Sequence, residues 1–383
     1  MGSVLFIEHP TLDGHSVGEI RLNAERSLNA LSLDMIEAIL TRLKAWEDDP
    51  SLVAVMLCGA GEKAFCAGGD VVALYHSITA DVPSDAPAEA PAFAERYFAR
   101  EYRLDYRLHT YEKPVIGWGS GIVMGGGMGL LNAASHRVVT ETSRLAMPEV
   151  TIGLYPDVGA SWFLNRLAGE TGRFLALTGS PLNARDAKQL GLADRMLESG
   201  QRATLIQRLT GASWRSAAAP LDAHGVVNRA LRDLECEAQE AFDTMPMPAA
   251  EHAELMRDLM DHDTVEQQVA AILALETDDP WLGRARQTLA HGSAVSVKVI
   301  DAQLTRTRHM SLAQVFRSEL ALSVQCCRQG DLAEGVRALL VDKDRTPQFR
   351  YACLTDVDPH FIEGMLAEPW AQNPLAALGE ALD

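Results

Sequence analysis

Two glycine-rich turns, Lys63-Ala-Phe-Cys-Ala-Gly-Gly-Asp70 and Met124-Gly-Gly-Gly-Met-Gly129, put Gly69 and Gly126 where backbone N–H groups can converge on a single carbonyl oxygen. Glycine lets the backbone approach a ligand with no Cβ in the way, and the apolar stretch after Met128 reads as a helix starting there, its first N–H groups free to face an anion. Donors of this kind stabilise negative charge on an acyl oxygen by on the order of 3 kcal/mol each. An oxyanion hole implies an acyl substrate and leaves the reaction to the acids and bases nearby. Two carboxylates follow at short range, Glu149 in Met147-Pro-Glu149 and Asp157 in Tyr155-Pro-Asp157. Such a pair can divide labour, one side chain acting as nucleophile or base while the other holds a hydroxyl or supplies a proton.

Each of these residues also has a plainer reading. Asp157 stands where a helix N-cap would, Glu149 alone reads as a surface carboxylate, and the glycine triplet serves equally as a tight turn for close helix packing. The four features together, in this order, favour the chemical reading. His109, His136 and His291 lack partners at ligand spacing and read as structural or surface residues. Cys66 has no activating histidine in view and reads as a small packed side chain.

The elements that must position these residues follow from periodicity. Strand-like runs at Val4–His9 and Val17–Leu22 precede a helix over Asp34–Trp46, whose Met35, Ile36, Ile39, Leu40, Leu43 and Trp46 share a face and which Ser32 or Asp34 can cap. Val53–Cys58 reads as a strand into the first turn, and Ile78–Pro91 as a surface loop. A long helix from Phe93 to about Thr110 is ended by Pro114. Val115–Trp118 then leads into the second turn, and His136–Thr140 adds a strand. Beyond Asp157 the periodicity is helical, over Ser161–Leu167, Gly172–Leu177, Ala184–Leu190 and several stretches after Asp222. The expectation is a mixed core over 1–215 and a mainly helical region over 216–383, joined near Ser216–Gly225.

With 383 residues and 47% hydrophobic content, the chain can bury a large core. No run of about 18 apolar residues and no signal-peptide layout is present, so nothing suggests a membrane or secretion, and a cytoplasmic protein is expected. The six cysteines show no CxxC spacing, which fits reduced thiols and predicts no metal from them. A net charge of −18 disfavours nucleic acid as a partner.

These residues resemble the crotonase superfamily of acyl-CoA enzymes, through Arg26-Ser-Leu-Asn-Ala-Leu31, Lys63–Asp70, Pro114–Gly129 and Leu177–Asp194. The resemblance implies an α/β fold, a spiral of ββα units with a C-terminal helical region that in many relatives builds trimers. It implies that the Gly69 and Gly126 N–H groups hold the thioester oxygen and that the segments around Arg26, Leu28, Ala67 and Asp70 contact coenzyme A. Within the superfamily the chain resembles the hydrolases of 3-hydroxyisobutyryl-CoA. Hydratases need a first glutamate where this chain has Gly129, and they tend to carry glycine where it has Asp157. Glu334–Pro347 resembles the C-terminal signature of those hydrolases, and Glu101-Tyr102 their Glu-Tyr pair, which makes Glu101 a substrate-binding candidate. Departures stand at Ser120, where some of them have histidine or aspartate, and at Ala160-Ser161-Trp162, where a more glycine-rich stretch is usual.

The resemblance therefore implies hydrolysis of a short 3-hydroxyacyl-CoA, with Glu149 and Asp157 as catalytic residues, no metal, and no cofactor beyond the coenzyme A of the substrate. A hydratase or isomerase with Glu149 as its one proton shuttle is the alternative. A silent acyl-CoA-binding protein is a second. Arg337 and Lys343 read as structural or surface charges.

Overall fold

The computed structural model describes residues 2–80, 92–214, 220–329 and 331–380. Strands β1 (Val4–Pro10), β2 (Ser16–Leu22), β3 (Leu52–Gly59), β4 (Ala64–Cys66), β5 (Val115–Gly119), β6 (Ile122–Met124), β7 (His136–Val139), β8 (Arg144–Ala146) and β9 (Arg195–Met196) make two sheets, of order β1-β2-β3-β5-β7-β9 and β4-β6-β8. The helices that carry or brace the residues of interest are α1 (Leu33–Glu47), α2 (Val71–Thr79), α3 (Ala92–His109), α4 (Gly126–Ala133), α5 (Ala160–Phe163) and α6 (Leu312–Gln329). The chain forms two compact units. One comprises the described residues within Met1–Gly69, Leu104–Leu145 and Leu182–Ala250, the other those within Asp70–Arg103, Ala146–Pro181 and Glu251–Asp383.

The first unit is built on the larger sheet, in which only β1 and β2 run antiparallel. Strand β3 reads Leu-Val-Ala-Val-Met-Leu-Cys-Gly and is buried along its whole length, the unbroken apolar run of a parallel strand covered on both faces. On one face Met56, Ile116, Trp118 and Val138 pack with Leu205 and Leu209 of the Arg202–Gly211 helix and with Val227, Leu231 and Leu234 of the Pro220–Glu237 helix. Ser32 caps α1, its hydroxyl accepting from the Met35 N–H.

A hinge-like loop in this unit is tied down by one side chain. Asn29 is buried with φ of 58°, a left-handed conformation that asparagine tolerates better than most residues. Its Oδ1 accepts from the Ala24 N–H at 3.0 Å, and its Nδ2 donates to the carbonyls of Ala60 at 3.0 Å and Ala64 at 2.8 Å. Next to it the Ala67 N–H donates to the Leu28 carbonyl at 3.0 Å and the Leu31 N–H to the Gly68 carbonyl at 2.8 Å. The Arg26–Leu31 segment is thereby fixed along the first glycine turn.

The second unit is mainly helical. Its centre is α6, buried from Val315 to Cys327 with hardly a break, so that polar residues on this helix face the interior as well. The helix expected over Ser161–Leu167 is shorter: α5 ends at Phe163 and a 3₁₀ turn follows over Leu164–Arg166. The Asn165 amide donates to the Ser161 carbonyl at 2.8 Å, competing with the backbone for that acceptor. Two further differences are local. The short strand β9 interrupts the helical stretch beyond Asp157, and Ile78 and Thr79 complete α2 where a loop is expected. The rest of that loop from residue 81, and residues 215–219 at the expected junction, lie outside the described residues.

Replacing Asn29 by Ala should lower unfolding free energy by about 3 kcal/mol, from three lost hydrogen bonds and a left-handed backbone that alanine adopts poorly. A shift of the urea midpoint at unchanged m-value checks it.

Candidate active site

In the first unit the two glycine turns lie side by side. Helix α4 starts at Gly126, two residues before the expected Met128, with Gly125 as its cap. As the first helical residue, Gly126 has an N–H with no intrahelical acceptor. A Cβ on Gly127 would come within 2.2 Å of the Cys66 carbonyl oxygen, so only glycine permits this approach of α4 to the end of β4. A Cβ on Gly68 would lie 3.9 Å from the Gly126 nitrogen, a measure of how near the turns are. The bridge between Leu31 and Gly69 runs through the Leu31 N–H and the Gly68 carbonyl, and makes no use of the Gly69 N–H. Leu28 and Ala67 are half-buried and hydrogen-bonded to each other, whereas Arg26 is exposed in the 3₁₀ turn Glu25–Ser27. Cys66 is buried.

In the second unit Asp70 caps α2, its carboxylate accepting from the Ala73 N–H at 3.0 Å. Glu149 opens a short 3₁₀ turn, Glu149–Ile152, directly after Pro148. It is only 5% exposed, so the surface reading does not hold, and its Oε2 has no hydrogen-bond partner among the described residues. Asp157 is 4% exposed and accepts from the Tyr102 hydroxyl at 2.5 Å. It is not a helix cap: α5 begins at Ala160 with Gly159 as its N-cap. Glu101, beside Tyr102 on α3, is buried with Oε1 unpartnered among the described residues.

Burial dominates the electrostatics. Desolvation pushes the Asp157 carboxyl up to about 6, against the hydrogen bond from Tyr102 that favours its ionised form. Glu149 and Glu101 are raised well above the ordinary carboxylate range by burial first and by repulsion from Asp157 second. Among the described residues no basic side chain is one of the groups that act on the three. The segment after Asp157 is bent by Val158 (φ 54°) and Gly159 (φ 84°), and valine with positive φ is a strained backbone. A further carboxyl holds the bend. Glu319 of α6 accepts from the Gly159 N–H at 2.7 Å and the Ser161 N–H at 3.0 Å, and burial raises it to about 8.

Glu319 and Ser323 were not among the candidates found in the sequence. Their one signal there is that they are polar residues four apart in a helical stretch, hence on one face, alongside Ala321, Leu320 and Leu322. Arg337 is engaged by Glu334, Asp342 and Asp344, as a structural charge would be. His136 is buried and stacked on His224, with burial lowering it to about 4. Among the described residues no group of three or more His, Cys, Asp or Glu side chains is placed to hold a metal ion, and no helix is long and apolar enough to cross a membrane.

Backbone N–H groups at adjacent glycine turns, and desolvated carboxyls with oxygens unpartnered among the described residues, are each found in acyl-transfer and proton-transfer enzymes. The chain matches the enoyl-CoA hydratase/isomerase family over residues 17–366 and belongs to that family. It is an acyl-CoA enzyme of the crotonase superfamily, with the α/β fold of mixed sheets and C-terminal helices seen in solved relatives. It is similar to the mitochondrial 3-hydroxyisobutyryl-CoA hydrolase of Gallus gallus, at 36% identity over 94% of this chain and 88% of that one. The corresponding protein of Homo sapiens is 35% identical over 89% of this chain and 83% of its own length. Among solved structures, a carnitinyl-CoA dehydratase from Mycobacterium thermoresistibile is 34% identical with a TM-score of 0.82 and 98% of both chains covered. An enoyl-CoA hydratase from Rhodobacter sphaeroides 2.4.1 is 28% identical with a TM-score of 0.78, covering 96% of this chain and 98% of that one.

A carboxyl raised on folding contributes stability below its unfolded value near 4 and loses it as pH rises through the folded value, here about 6. Asp157→Asn should therefore stabilise the protein at pH 8, by on the order of 3 kcal/mol, and far less at pH 4. Melting curves of both proteins at the two pH values check the sign.

Proposed function

We propose that the protein hydrolyses the thioester of a short 3-hydroxyacyl-CoA, with 3-hydroxyisobutyryl-CoA of valine breakdown as the favoured substrate. The observation that carries this is Glu149, a buried carboxyl with one oxygen unpartnered among the described residues, in a chain with Gly129 where a hydratase needs its other glutamate. The similarity to 3-hydroxyisobutyryl-CoA hydrolases over most of the chain supports the substrate.

In this reading the Gly69 and Gly126 N–H groups receive the thioester oxygen and stabilise the charge that develops on it. The Glu149 carboxylate attacks the carbonyl carbon, the C–S bond breaks with its electron pair leaving on sulfur, and water then cleaves the resulting anhydride. Glu149 acting as a base on water is the second route to the same products. Asp157 positions the 3-hydroxyl or the water, and Glu101 orients a polar group of the acyl chain. Arg26, Leu28, Ala67 and Asp70 contact coenzyme A, the part of the substrate that makes a separate cofactor unnecessary. Six free cysteines, four of them buried, suit a reducing compartment, and we place the protein in the cytoplasm. A homo-oligomer, a trimer as in many relatives, is one assembly open to it.

Hydration or isomerisation is the second reading, favoured by the similarity to a carnitinyl-CoA dehydratase and an enoyl-CoA hydratase. An isomerase needs one base only, which Glu149 could supply. A silent acyl-CoA-binding protein would bind these thioesters without turnover.

The purified protein should release free thiol from 3-hydroxyisobutyryl-CoA and leave the double bond of crotonyl-CoA untouched. Glu149→Gln should slow thiol release by at least about 100-fold. Loss of crotonyl absorbance with the thioester intact would replace hydrolysis by hydration. Because Glu149 acts ionised, kcat/KM should fall as pH drops into the mildly acid range, which a pH–rate profile reads directly.

A further inference from the structure

A file of oxygen atoms leads away from Asp157 within the second unit. Asp157 Oδ2 lies 2.5 Å from the Tyr102 hydroxyl, and that hydroxyl 2.6 Å from Ser323 Oγ. Ser323 Oγ lies 2.9 Å from the Tyr155 hydroxyl, which donates to the Glu319 backbone carbonyl at 2.8 Å. Tyr102 and Ser323 are 0% exposed and Tyr155 1%, so bulk water does not reach the chain.

A backbone carbonyl can only accept, so the Tyr155 proton is committed to it. Four contacts need four protons, and three hydroxyls bring three. With Asp157 ionised, Tyr102 donates to it, and the one Ser323 proton serves either Tyr102 or Tyr155. Two buried oxygens then face each other with no proton between them, an unmade hydrogen bond. With Asp157 protonated, Asp157 donates to Tyr102, Tyr102 to Ser323, Ser323 to Tyr155 and Tyr155 to the carbonyl. Every contact is then a hydrogen bond.

We propose that this chain of hydroxyls holds a proton on Asp157 and so keeps Asp157 neutral beside Glu149. Tyr102, Ser323 and Tyr155 are positioning residues that act through Asp157. The groups that face Asp157 are Glu101 and Tyr102 from α3, Glu149 from its 3₁₀ turn, Tyr155 from the adjoining segment, and Glu319, Cys326 and Cys327 from α6. All of them become anions when they ionise, so none offers a positive charge to an ionised Asp157, and the one that stabilises that form is Tyr102, through its hydrogen bond. A neutral Asp157 also removes the repulsion that it otherwise exerts on Glu149. The functional value of an ionised Glu149 rests on the hydrolase reading, but the place of the proton does not.

The test uses Tyr155→Phe and Ser323→Ala. In Tyr155→Phe the freed Glu319 carbonyl, four residues before Ser323, can take the Ser323 proton, so that variant is a control. In Ser323→Ala an ionised Asp157 becomes fully compatible with the remaining protons, whereas a protonated Asp157 leaves the Tyr102 hydroxyl without an acceptor. The Asp157 titration midpoint should fall by about one pH unit, a tenfold loss of proton affinity. Burial alone predicts the opposite, since removing a hydroxyl makes the surroundings more apolar and raises a carboxyl.

The measurement is the carbonyl stretch of the protonated carboxyl in the ligand-free protein, followed by infrared spectroscopy across pH and assigned by difference against Asp157→Asn and Glu149→Gln. A midpoint unchanged or raised in Ser323→Ala overturns the proposal. So does an Asp157 that in the unaltered protein ionises in the ordinary carboxylate range, a readout that needs neither Tyr155→Phe nor Ser323→Ala to fold. Since no substrate is involved, a protein that shows the shift but releases no thiol would refute the hydrolase reading alone.

Discussion

Removing a carboxyl group from water is among the costliest things a fold can do, and the second unit does it at Glu101, Glu149, Asp157 and Glu319. Much of the surrounding structure answers that cost. The Gly159 and Ser161 N–H groups receive Glu319, the Tyr102 hydroxyl receives Asp157, and α6 is buried nearly all round so that Glu319 and Ser323 reach inward. The left-handed Val158 is tolerated because the bend it permits turns the Gly159 N–H towards Glu319. What stays unmatched is informative: Glu149 Oε2 and Glu101 Oε1 have no partner among the described residues. A buried acceptor left open is stability given up, and a substrate group or water could complete it.

The first unit handles a different polar group by a different device. Its N–H donors come from backbone, which costs no side-chain entropy to position and needs only the absence of side-chain atoms nearby. Gly127 supplies that absence against the Cys66 carbonyl. Asn29 holds the adjoining loop by offering its amide to three backbone groups at once, and one of them, the Ala64 carbonyl, ties the start of the turn that carries Gly69. Donors preorganised in this way stabilise a developing oxyanion without reorganising during the reaction.

Within an acyl-CoA family the same donors serve hydration, isomerisation and hydrolysis, and the carboxyls select among them. Gly129 lies buried inside α4, a position that offers no proton donor. Glu149 and Asp157 sit eight residues apart on a segment that leaves β8, turns once at Glu149 and bends again at Val158. That spacing lets two carboxyls share one desolvated region while holding different partners. A difference in hydrogen bonding, more than a difference in burial, then separates their roles.

The amino-acid sequence by itself determined what depends on neighbours along the chain. The apolar run of β3, the Ser32 cap of α1, the two glycine turns and the order of Gly69, Gly126, Glu149 and Asp157 were all legible, because periodicity, capping and the missing Cβ are local properties. Asp157 looked like a cap for the same reason: the residues after it read as a helix, and the positive φ of Val158 and Gly159 that displaces the helix start has no mark in a valine. Only the tertiary structure decided which polar groups meet. Tyr102 reaches Asp157 across 55 positions of chain and Ser323 across 221, and nothing in the spacing of residues that far apart encodes a contact of a few ångströms. The desolvation of Glu149, and with it the chemistry that carboxyl can perform, is likewise a property of the packed interior, since a glutamate in a chain exposed to water has no reason to hold its proton.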